Sequence, residues 1–109
     1  MDVMDRIKQT IEQNPIVLFM KGTPQMPQCG FSMRTSEALK ACGVPYAHVD
    51  VLAEPEVRQN LPRFSNWPTF PQVFIGGELV GGCDIVLELF QKGDLQNMAK
   101  AAEAKADAT

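Results

Sequence analysis

Cys29 is the residue whose surroundings in the sequence point most clearly to chemistry. It follows an apolar run and an irregular loop, residues 21–28, and stands where a helix is expected to begin. Free backbone N–H groups and the helix dipole stabilise negative charge at such a position, and Lys21 adds a positive charge. We therefore expect a thiol with a lowered pKa that acts as a nucleophile or a metal ligand. The alternative is a buried structural cysteine, a common use of this residue.

Position 32 limits the thiol chemistry that is open to Cys29. A dithiol redox helix has a second cysteine three residues after the first, whereas this chain has Ser32. Because serine cannot resolve a mixed disulfide, any thiol exchange at Cys29 requires an external thiol. Cys42 is expected on the apolar face of a helix and in the core, and Cys83 is a weaker candidate for a second reactive thiol.

Residues 67–72 (WPTFPQ) form a second segment of interest, directly before a predicted hairpin. The two prolines around Phe70 favour an extended backbone. A cis peptide bond between Phe70 and Pro71 would point the backbone N–H and C=O of Phe70 outward, beside the helix of Cys29. The alternative is a trans turn before an edge strand, because most X–Pro bonds are trans.

Residues 81–84 (GGCD) form a third segment, directly before another predicted helix. Paired glycines permit close backbone approach, and a helix that begins at Asp84 offers N–H groups to a carboxylate. The Asp84 carboxylate can itself accept an ammonium group. A ligand with both charges, such as an amino-acid terminus, therefore suits this corner. The alternative is that Asp84 only caps the helix.

Hydrophobic patterning predicts the elements that hold these segments. The spacing of Met4, Ile7 and Ile11 indicates a helix over residues 3–13, and Ile16–Met20 is an apolar run typical of a strand covered on both faces. Pro62 is expected to break or kink the third helix. The remaining predicted helices begin at Cys29, Pro55 and Asp84, and the remaining strands cover residues 46–51, 72–75 and 78–80.

The predicted order α-β-α-β-α-β-β-α defines the fold class. The first β-α-β unit requires a parallel pair with a right-handed crossover, and the glycines at 76 and 77 close an antiparallel hairpin. The expected fold is α/β, a four-stranded mixed sheet flanked by helices on both faces. One domain is predicted over residues 1–109, with its core at about 3–93. A helical tail over 94–109 is expected to fray, since no large apolar residue follows Met98.

Composition narrows the functional classes. Hydrophobic residues make up 45% of the 109 and charged residues 21%, as in soluble globular domains. A net charge of −3 provides no basic surface for nucleic acid, and the longest apolar run is far below the ~20 residues of a membrane span. Three cysteines and no visible secretory signal favour a reducing, cytoplasmic compartment, and His48 has no companion ligands for zinc.

The three segments, with Lys21-Gly-Thr-Pro before Cys29-Gly-Phe-Ser, resemble in order and spacing the motifs of single-domain monothiol glutaredoxins of the CGFS type. The resemblance extends from the first helix to about Gly93, which is most of the chain. It implies a thioredoxin-like fold, in agreement with the element order predicted above, and glutathione bound in a groove.

By this resemblance, each part of glutathione meets particular residues. The glycyl carboxylate is bound by Lys21 and Arg58, and the cysteinyl unit pairs with the backbone of Phe70. The γ-glutamyl end is held by Cys83 and Asp84, with Asp84 accepting its ammonium group. Without the resemblance, Arg58 is an ordinary solvated charge. The side chains that line or flank the groove are Phe31, Trp67 and Pro71.

The resemblance also implies a function. Members of this group bind a [2Fe–2S] cluster, which takes four thiolates, and two chains with one Cys29 each and two glutathiones supply them. We therefore expect a homodimer when the cluster is bound, a BolA-family protein as another partner, and iron–sulfur apoproteins as clients, in cluster assembly, transfer or sensing. One alternative is a weak oxidoreductase that removes glutathione from proteins through Cys29 alone. Another is a thioredoxin-fold adaptor with an inert groove.

Overall fold

The computed structural model describes residues 2–108, which fold into five helices and four strands in the expected order. The helices are α1 (Val3–Gln13), α2 (Gly30–Ala41), α3 (Pro55–Ser65), α4 (Cys83–Gln91) and α5 (Asp94–Asp107). The strands are β1 (Ile16–Met20), β2 (Ala47–Asp50), β3 (Gln72–Ile75) and β4 (Glu78–Gly81). Met1 and Thr109, the two ends of the predicted domain, lie outside the described residues.

The four strands form one mixed sheet in the order β2-β1-β3-β4. β1 pairs parallel with β2 and antiparallel with β3, and β3 pairs antiparallel with β4. Gly76 and Gly77, with φ of 63° and 84°, make the turn of the β3–β4 hairpin in a conformation that costs glycine little. The expected mixed sheet with helices on both faces is therefore confirmed.

Strand β1 divides the core into two apolar clusters. Ile16, Leu18 and Met20 belong to one, shared with α2, α4 and α5, which we call the α5-side cluster. Val17 and Phe19 belong to the other, shared with α1 and α3, which we call the α1-side cluster. All of β1 is buried, as its unbroken apolar run predicts. Because β1 is held from both faces, it is a firm support for the loop that follows it.

Helices α3 and α4 differ from the expectation, as does α5, which is described below. α3 continues through Pro62 instead of breaking, since Val57 and Leu61 bury its apolar face in the α1-side cluster. The lost proline N–H costs the helix one backbone hydrogen bond, which this burial outweighs. α4 begins at Cys83 with Gly82 in the capping position, so Asp84 lies in the first turn and is not the cap.

The C-terminal helix α5 completes the α5-side cluster, so the core extends beyond the predicted bound at residue 93 and the predicted fraying over 94–109 is wrong for the first turns of α5. Leu95 and Ala99 are fully buried in it, and Met98 and Ala102 pack against it. The end of α5 beyond these residues is mostly exposed. Across residues 2–108, no helix is long and apolar enough to cross a membrane.

Candidate functional site

Three segments that are far apart in the sequence enclose one groove of about 660 Å³. The first segment is the loop after β1 with the first residues of α2, the second is residues 67–71 before β3, and the third is the first turn of α4. One side chain of α3, that of Arg58, also lines the groove. The groove lies where β1 ends and β3 begins, which are neighbouring positions in an antiparallel pair. The lining residues are Lys21, Cys29, Phe31, Arg58, Trp67, Pro68, Thr69, Phe70, Pro71, Gly82, Cys83, Asp84 and Ile85.

Cys29 occupies the position directly before α2 and is an unpaired, partly buried cysteine that lines the groove. The backbone N–H of Ser32 donates to its sulfur and is the main cause of a lowered pKa of the Cys29 thiol. The N–H of Phe31, the Ser32 hydroxyl and the charge of Lys21 also lower this pKa, and partial burial opposes them. Cys29 therefore ionises more readily than an ordinary cysteine and is not sealed in the core.

Ser32 and Asp50 hold the loop that carries Lys21. Ser32 is fully buried, and its hydroxyl accepts a hydrogen bond from the Lys21 N–H at 3.1 Å. The Asp50 carboxylate accepts from the N–H groups of Gly22 and Leu52, both at 2.9 Å. The end of β2 is thereby tied to the loop beside the reactive sulfur. Neither role is visible in the sequence, where Ser32 signals only the missing second thiol and Asp50 is one of 13 acids.

The tight return of this loop requires glycine at position 22. The φ of Gly22 is +90°, and a Cβ there would lie 2.5 Å from the Met26 carbonyl oxygen and 2.7 Å from the Gln28 nitrogen. The Gln28 N–H donates to the Lys21 carbonyl at 2.9 Å, which closes the loop on itself. The loop conformation that leads into Cys29 therefore depends on the absence of a side chain at Gly22.

Residues 67–71 form the opposite wall of the groove, and Gln72 holds them in place. The Gln72 side-chain amide donates to the carbonyls of Trp67 at 2.9 Å and Thr69 at 3.1 Å, and the residue is fully buried. The Phe70–Pro71 peptide bond is cis, one of the two conformers that the sequence left open. Gln72, which the sequence marks only as the start of a strand, therefore shapes the groove.

The start of α4 supplies the third wall. Gly82 approaches residues 67–71 so closely that a Cβ there would lie 3.3 Å from both the Pro71 carbonyl oxygen and the Trp67 indole nitrogen. This is the close backbone approach expected of the glycine pair. Asp84 is exposed in the first turn of α4, whereas Cys83 is only 7% exposed. This end of the groove therefore offers helix N–H groups and one carboxylate.

The groove carries charges of both signs. Lys21 and Arg58 line it together with Cys29, and Asp84 lines the side formed by α4. Within residues 2–108, none of these three charged groups has an oppositely charged partner within 4 Å. Uncompensated charges around an open groove fit a ligand that carries both carboxylate and ammonium groups.

The structure brings together all nine residues that the sequence singled out for the site, since each of them lines the groove. Pro68, Thr69 and Ile85 line it as well and were not singled out. Ile85 belongs to the predicted apolar pattern of α4, yet it is 37% exposed. It lies against Gly81, where a Cβ would be 2.8 Å from the Ile85 Cδ1 atom. Its place directly after the GGCD segment was the signal that could have identified it.

The other candidate ligands lie away from the groove. Cys42 is buried in the α5-side cluster, where burial raises the pKa of its thiol. His48 is exposed on the edge strand β2. Residues 2–108 contain no group of three or more His, Cys, Asp or Glu side chains that could hold a metal ion.

Comparison of the sequence with known proteins identifies close relatives. The family model described as Glutaredoxin matches residues 16–80. The chain is 54% identical to Glutaredoxin 4 of Haemophilus ducreyi over 105 residues, which cover 96% of this chain and 98% of that protein. It is 52% identical to Glutaredoxin 4 of Escherichia coli K12 over 102 residues, which cover 94% of this chain and 89% of that protein.

Comparison with solved structures gives a matching result. The solution structure of reduced poplar apo GrxS14 is 41% identical, with a TM-score of 0.79 over 92% of each chain. The crystal structure of a buckwheat glutaredoxin–glutathione complex is 28% identical, with a TM-score of 0.82 over 94% of this chain and 91% of that one. Both likenesses cover nearly the whole fold.

Proposed function

The chain belongs to the glutaredoxin family, and we propose that it binds glutathione and shares a [2Fe–2S] cluster with a second subunit. It is a monothiol member, because Ser32 stands three residues after Cys29. One observation carries the proposal: a single groove combines a Cys29 thiol of lowered pKa with unpaired charges of both signs.

Glutathione is the ligand whose charges match the groove. It has a carboxylate at its glycyl end and both a carboxylate and an ammonium group at its γ-glutamyl end. Lys21 and Arg58 would bind the glycyl carboxylate, and the Phe70 backbone would pair with the cysteinyl unit. The N–H groups at the start of α4, near Cys83, and the Asp84 carboxylate would hold the other end. The likeness to the buckwheat glutaredoxin–glutathione complex supports this assignment.

A [2Fe–2S] cluster needs more thiolates than one chain offers. It takes four, whereas the groove of one chain presents the sulfur of Cys29, since Cys83 is nearly buried and Cys42 lies in the core. Two chains and two glutathiones would complete the set. When bound, such a cluster supplies iron–sulfur donor and electron-transfer chemistry. This chain's own part is to keep Cys29 ionised and to hold glutathione by its charged ends.

Half of such a ligand set is diffusible, which suits a protein that passes its cluster on. We propose iron–sulfur apoproteins as the clients and a BolA-family protein as an alternative to the second subunit. The proposed compartment is the reducing cytoplasm, since Cys29, Cys42 and Cys83 are all unpaired.

Anaerobic reconstitution with iron, sulfide and glutathione tests the cluster proposal. The expected product is a coloured dimer, seen by absorption and size-exclusion chromatography, that forms only when glutathione is present. Cys29→Ser should abolish both colour and pairing. The matched variant Cys42→Ser should retain both, because its hydroxyl can still donate to the Ala38 carbonyl as the thiol does. A colourless monomer from the unmodified chain, or an unchanged spectrum for Cys29→Ser, would contradict the proposal.

The lowered pKa of Cys29 also favours a second candidate, a glutathione-dependent oxidoreductase. The Cys29 thiolate would attack the glutathione sulfur of a protein mixed disulfide, forming a Cys29–glutathione disulfide and expelling the protein thiolate. A second glutathione thiolate would then attack that disulfide, releasing oxidised glutathione and restoring Cys29. Rapid turnover of a glutathionylated substrate would favour this activity if the turnover is lost in Cys29→Ser. Absence of turnover in the unmodified chain would contradict the oxidoreductase candidate.

A further inference from the structure

Exposed apolar side chains flank Cys29 and extend beyond the groove. Phe31 is 52% exposed and Met33 40% on α2, and Met26 is 69% exposed in the loop before it. They are three of the six large apolar side chains exposed within residues 2–108. Exposed large apolar side chains that come shortly before and after a reactive cysteine are candidate contacts for another protein.

Arg34 adds positive charge to this surface. Its guanidinium carbon lies 5.4 Å from the centre of the Phe31 ring, a cation–π contact. The side chain turns back along α2, so that a Cβ at Gly30 would lie 3.8 Å from Nη2 of Arg34. Arg34 therefore lies over the turn that follows Cys29. Among the described residues, no acidic group comes within 4 Å of it.

Three cations without an acidic partner among the described residues therefore lie in the groove or on its Phe31 side chain, although the chain as a whole has a net charge of −3. Lys21 and Arg58 line the groove, and Arg34 lies at its rim on the Phe31 ring. In a twofold pairing both copies use the same surface, so a surface with three cations and one carboxylate, Asp84, would meet a surface of the same net positive charge. A second copy of the chain is therefore a poor occupant unless bound glutathione adds negative charge. An acidic partner is attracted to this surface without any added negative charge.

We propose that Arg34, with Phe31, Met26 and Met33, forms a docking surface that selects acidic segments of client proteins for reaction at Cys29. The proposal rests on the glutathione-dependent thiol exchange proposed above and adds the chemistry of the partner, a segment with Asp or Glu close to its glutathionylated cysteine. The planar Arg34 group can pair with a carboxylate while it remains stacked on Phe31. The two flexible methionines can adapt to different apolar neighbours. Arg34 is thus a specificity-determining residue that takes no part in the bond changes.

Three peptides test the proposal, each with one cysteine held as a mixed disulfide with glutathione and flanked by aspartates, serines or lysines. The measured quantity is the rate at which Cys29 takes up glutathione, from mass spectrometry of the rapidly quenched protein. In this step the Cys29 thiolate attacks the glutathione sulfur, and the peptide leaves as a thiolate. We expect the aspartate peptide to react about tenfold faster than the lysine peptide at low salt, and the difference to vanish at about 1 M salt.

Substitutions at Arg34 connect this preference to the proposed surface. Arg34→Glu should remove or reverse the preference, and Arg34→Lys should retain part of it, because the charge remains without the planar stacking group. The matched control is Lys8→Glu, which makes the same change of charge in α1, beside Asp5 and Glu12 and outside the groove. This control should leave the preference unchanged.

Oxidised glutathione, which has no flanking protein segment, separates failure of this proposal from failure of the proposed function. If Cys29 reacts with oxidised glutathione but reacts equally fast with the three peptides at low salt, the docking proposal is overturned and the proposed thiol exchange stands. A preference that survives Arg34→Glu overturns it as well. If Cys29 does not react with oxidised glutathione, the thiol exchange fails and the docking proposal fails with it, whereas the cluster proposal is judged by the reconstitution described above.

Discussion

The groups that lower the pKa of Cys29 all lie close to it in the chain. They are the N–H of Ser32, the N–H of Phe31, the Ser32 hydroxyl and the Lys21 charge. Because the pKa in the folded chain is below that in the unfolded chain, the ionised thiol stabilises the fold at pH values above the unfolded pKa. This contribution is lost as the pH falls through the folded pKa.

Alkylation of Cys29 should therefore begin at a lower pH than that of an ordinary cysteine. The rate with iodoacetamide should rise with an inflection at a lower pH in the folded chain than in the unfolded chain, because the thiolate is the reacting form and the pKa of folded Cys29 is lowered. Burial raises the pKa of the Cys42 thiol, so Cys42 should stay unlabelled in the folded chain. Peptide mass spectrometry across a range of pH checks both expectations. In urea the two cysteines should react alike, and an inflection for folded Cys29 at or above the unfolded value contradicts the assignment.

Gln72→Leu should weaken glutathione binding more than it weakens the fold. The substitution removes the donor that holds the Trp67 and Thr69 carbonyls. The loss of stability should be limited to about 1 kcal/mol, since the Gln72 amide oxygen is itself buried without a partner among residues 2–108. Calorimetric titration with glutathione and urea denaturation measure the two effects.

The matched control for this change is Gln96→Leu. The side-chain amide of Gln96 in α5 donates to the carbonyl of Phe90 in α4 at 3.4 Å, and neither residue lines the groove. We expect this variant to lose a similar amount of stability and no affinity for glutathione. Equal affinities of the two variants would show that Gln72 does not position the wall of the groove.

The residues of the site could be predicted where a motif is contiguous, and not where support crosses between elements. Cys29 and Asp84 belong to motifs of consecutive residues that can be recognised in the sequence alone, and Lys21 lies where a predicted strand passes into a loop. Asp50 and Gln72 act through hydrogen bonds to segments far from them in the chain. Such bonds depend on which strands become neighbours, which hydrophobic patterning alone does not specify.

Among the structural elements, the loop after β1 depends most strongly on one residue, Gly22. Gly22→Ala places a Cβ 2.5 Å from a backbone oxygen, so the loop must open. Gly77→Ala is the matched control, because Gly77 also has a positive φ but has no atom within 4 Å of such a Cβ. We expect Gly77→Ala to cost about 1–2 kcal/mol of stability, the ordinary strain of the left-handed region.

Gly22→Ala should cost clearly more than Gly77→Ala in urea denaturation. It should also slow the reaction of Cys29 with oxidised glutathione, since the loop carries Lys21 and leads into α2. Gly77→Ala should leave that rate unchanged. Equal losses of stability in the two variants would mean that the loop relaxes around the added methyl group.

The elements also show where sequence patterns are decisive and where packing overrides them. The apolar run of β1 and the glycine turn of the β3–β4 hairpin are strong local signals, and both elements form where they were predicted. Pro62 is a strong local signal as well, yet α3 continues through it. The local penalty is visible in the sequence, whereas the compensating burial of Leu61 depends on α1 and the sheet.

In the molecule as a whole, the five-residue strand β1 and helix α5 share one apolar cluster, so α5 is a structural part of the fold. Leu95→Ala should therefore cost about 2–5 kcal/mol of unfolding free energy, through lost burial and the cavity left behind. The matched control is Leu52→Ala, because Leu52 is 41% exposed and its substitution should change stability by about 0.5 kcal/mol or less. Urea denaturation distinguishes them. Similar values for both variants would mean that α5 unfolds separately from the sheet.

The three walls of the groove are made at different times when the chain is synthesised. Cys29 and the groups that ionise it leave the ribosome early, whereas the wall formed by α4 comes near the end. Because domains fold as units, the groove and the contacts that lower the pKa of Cys29 form only when the last of these walls is available. During translation Cys29 therefore keeps the ordinary pKa of an unfolded thiol, and its reactivity appears together with the groove that serves it.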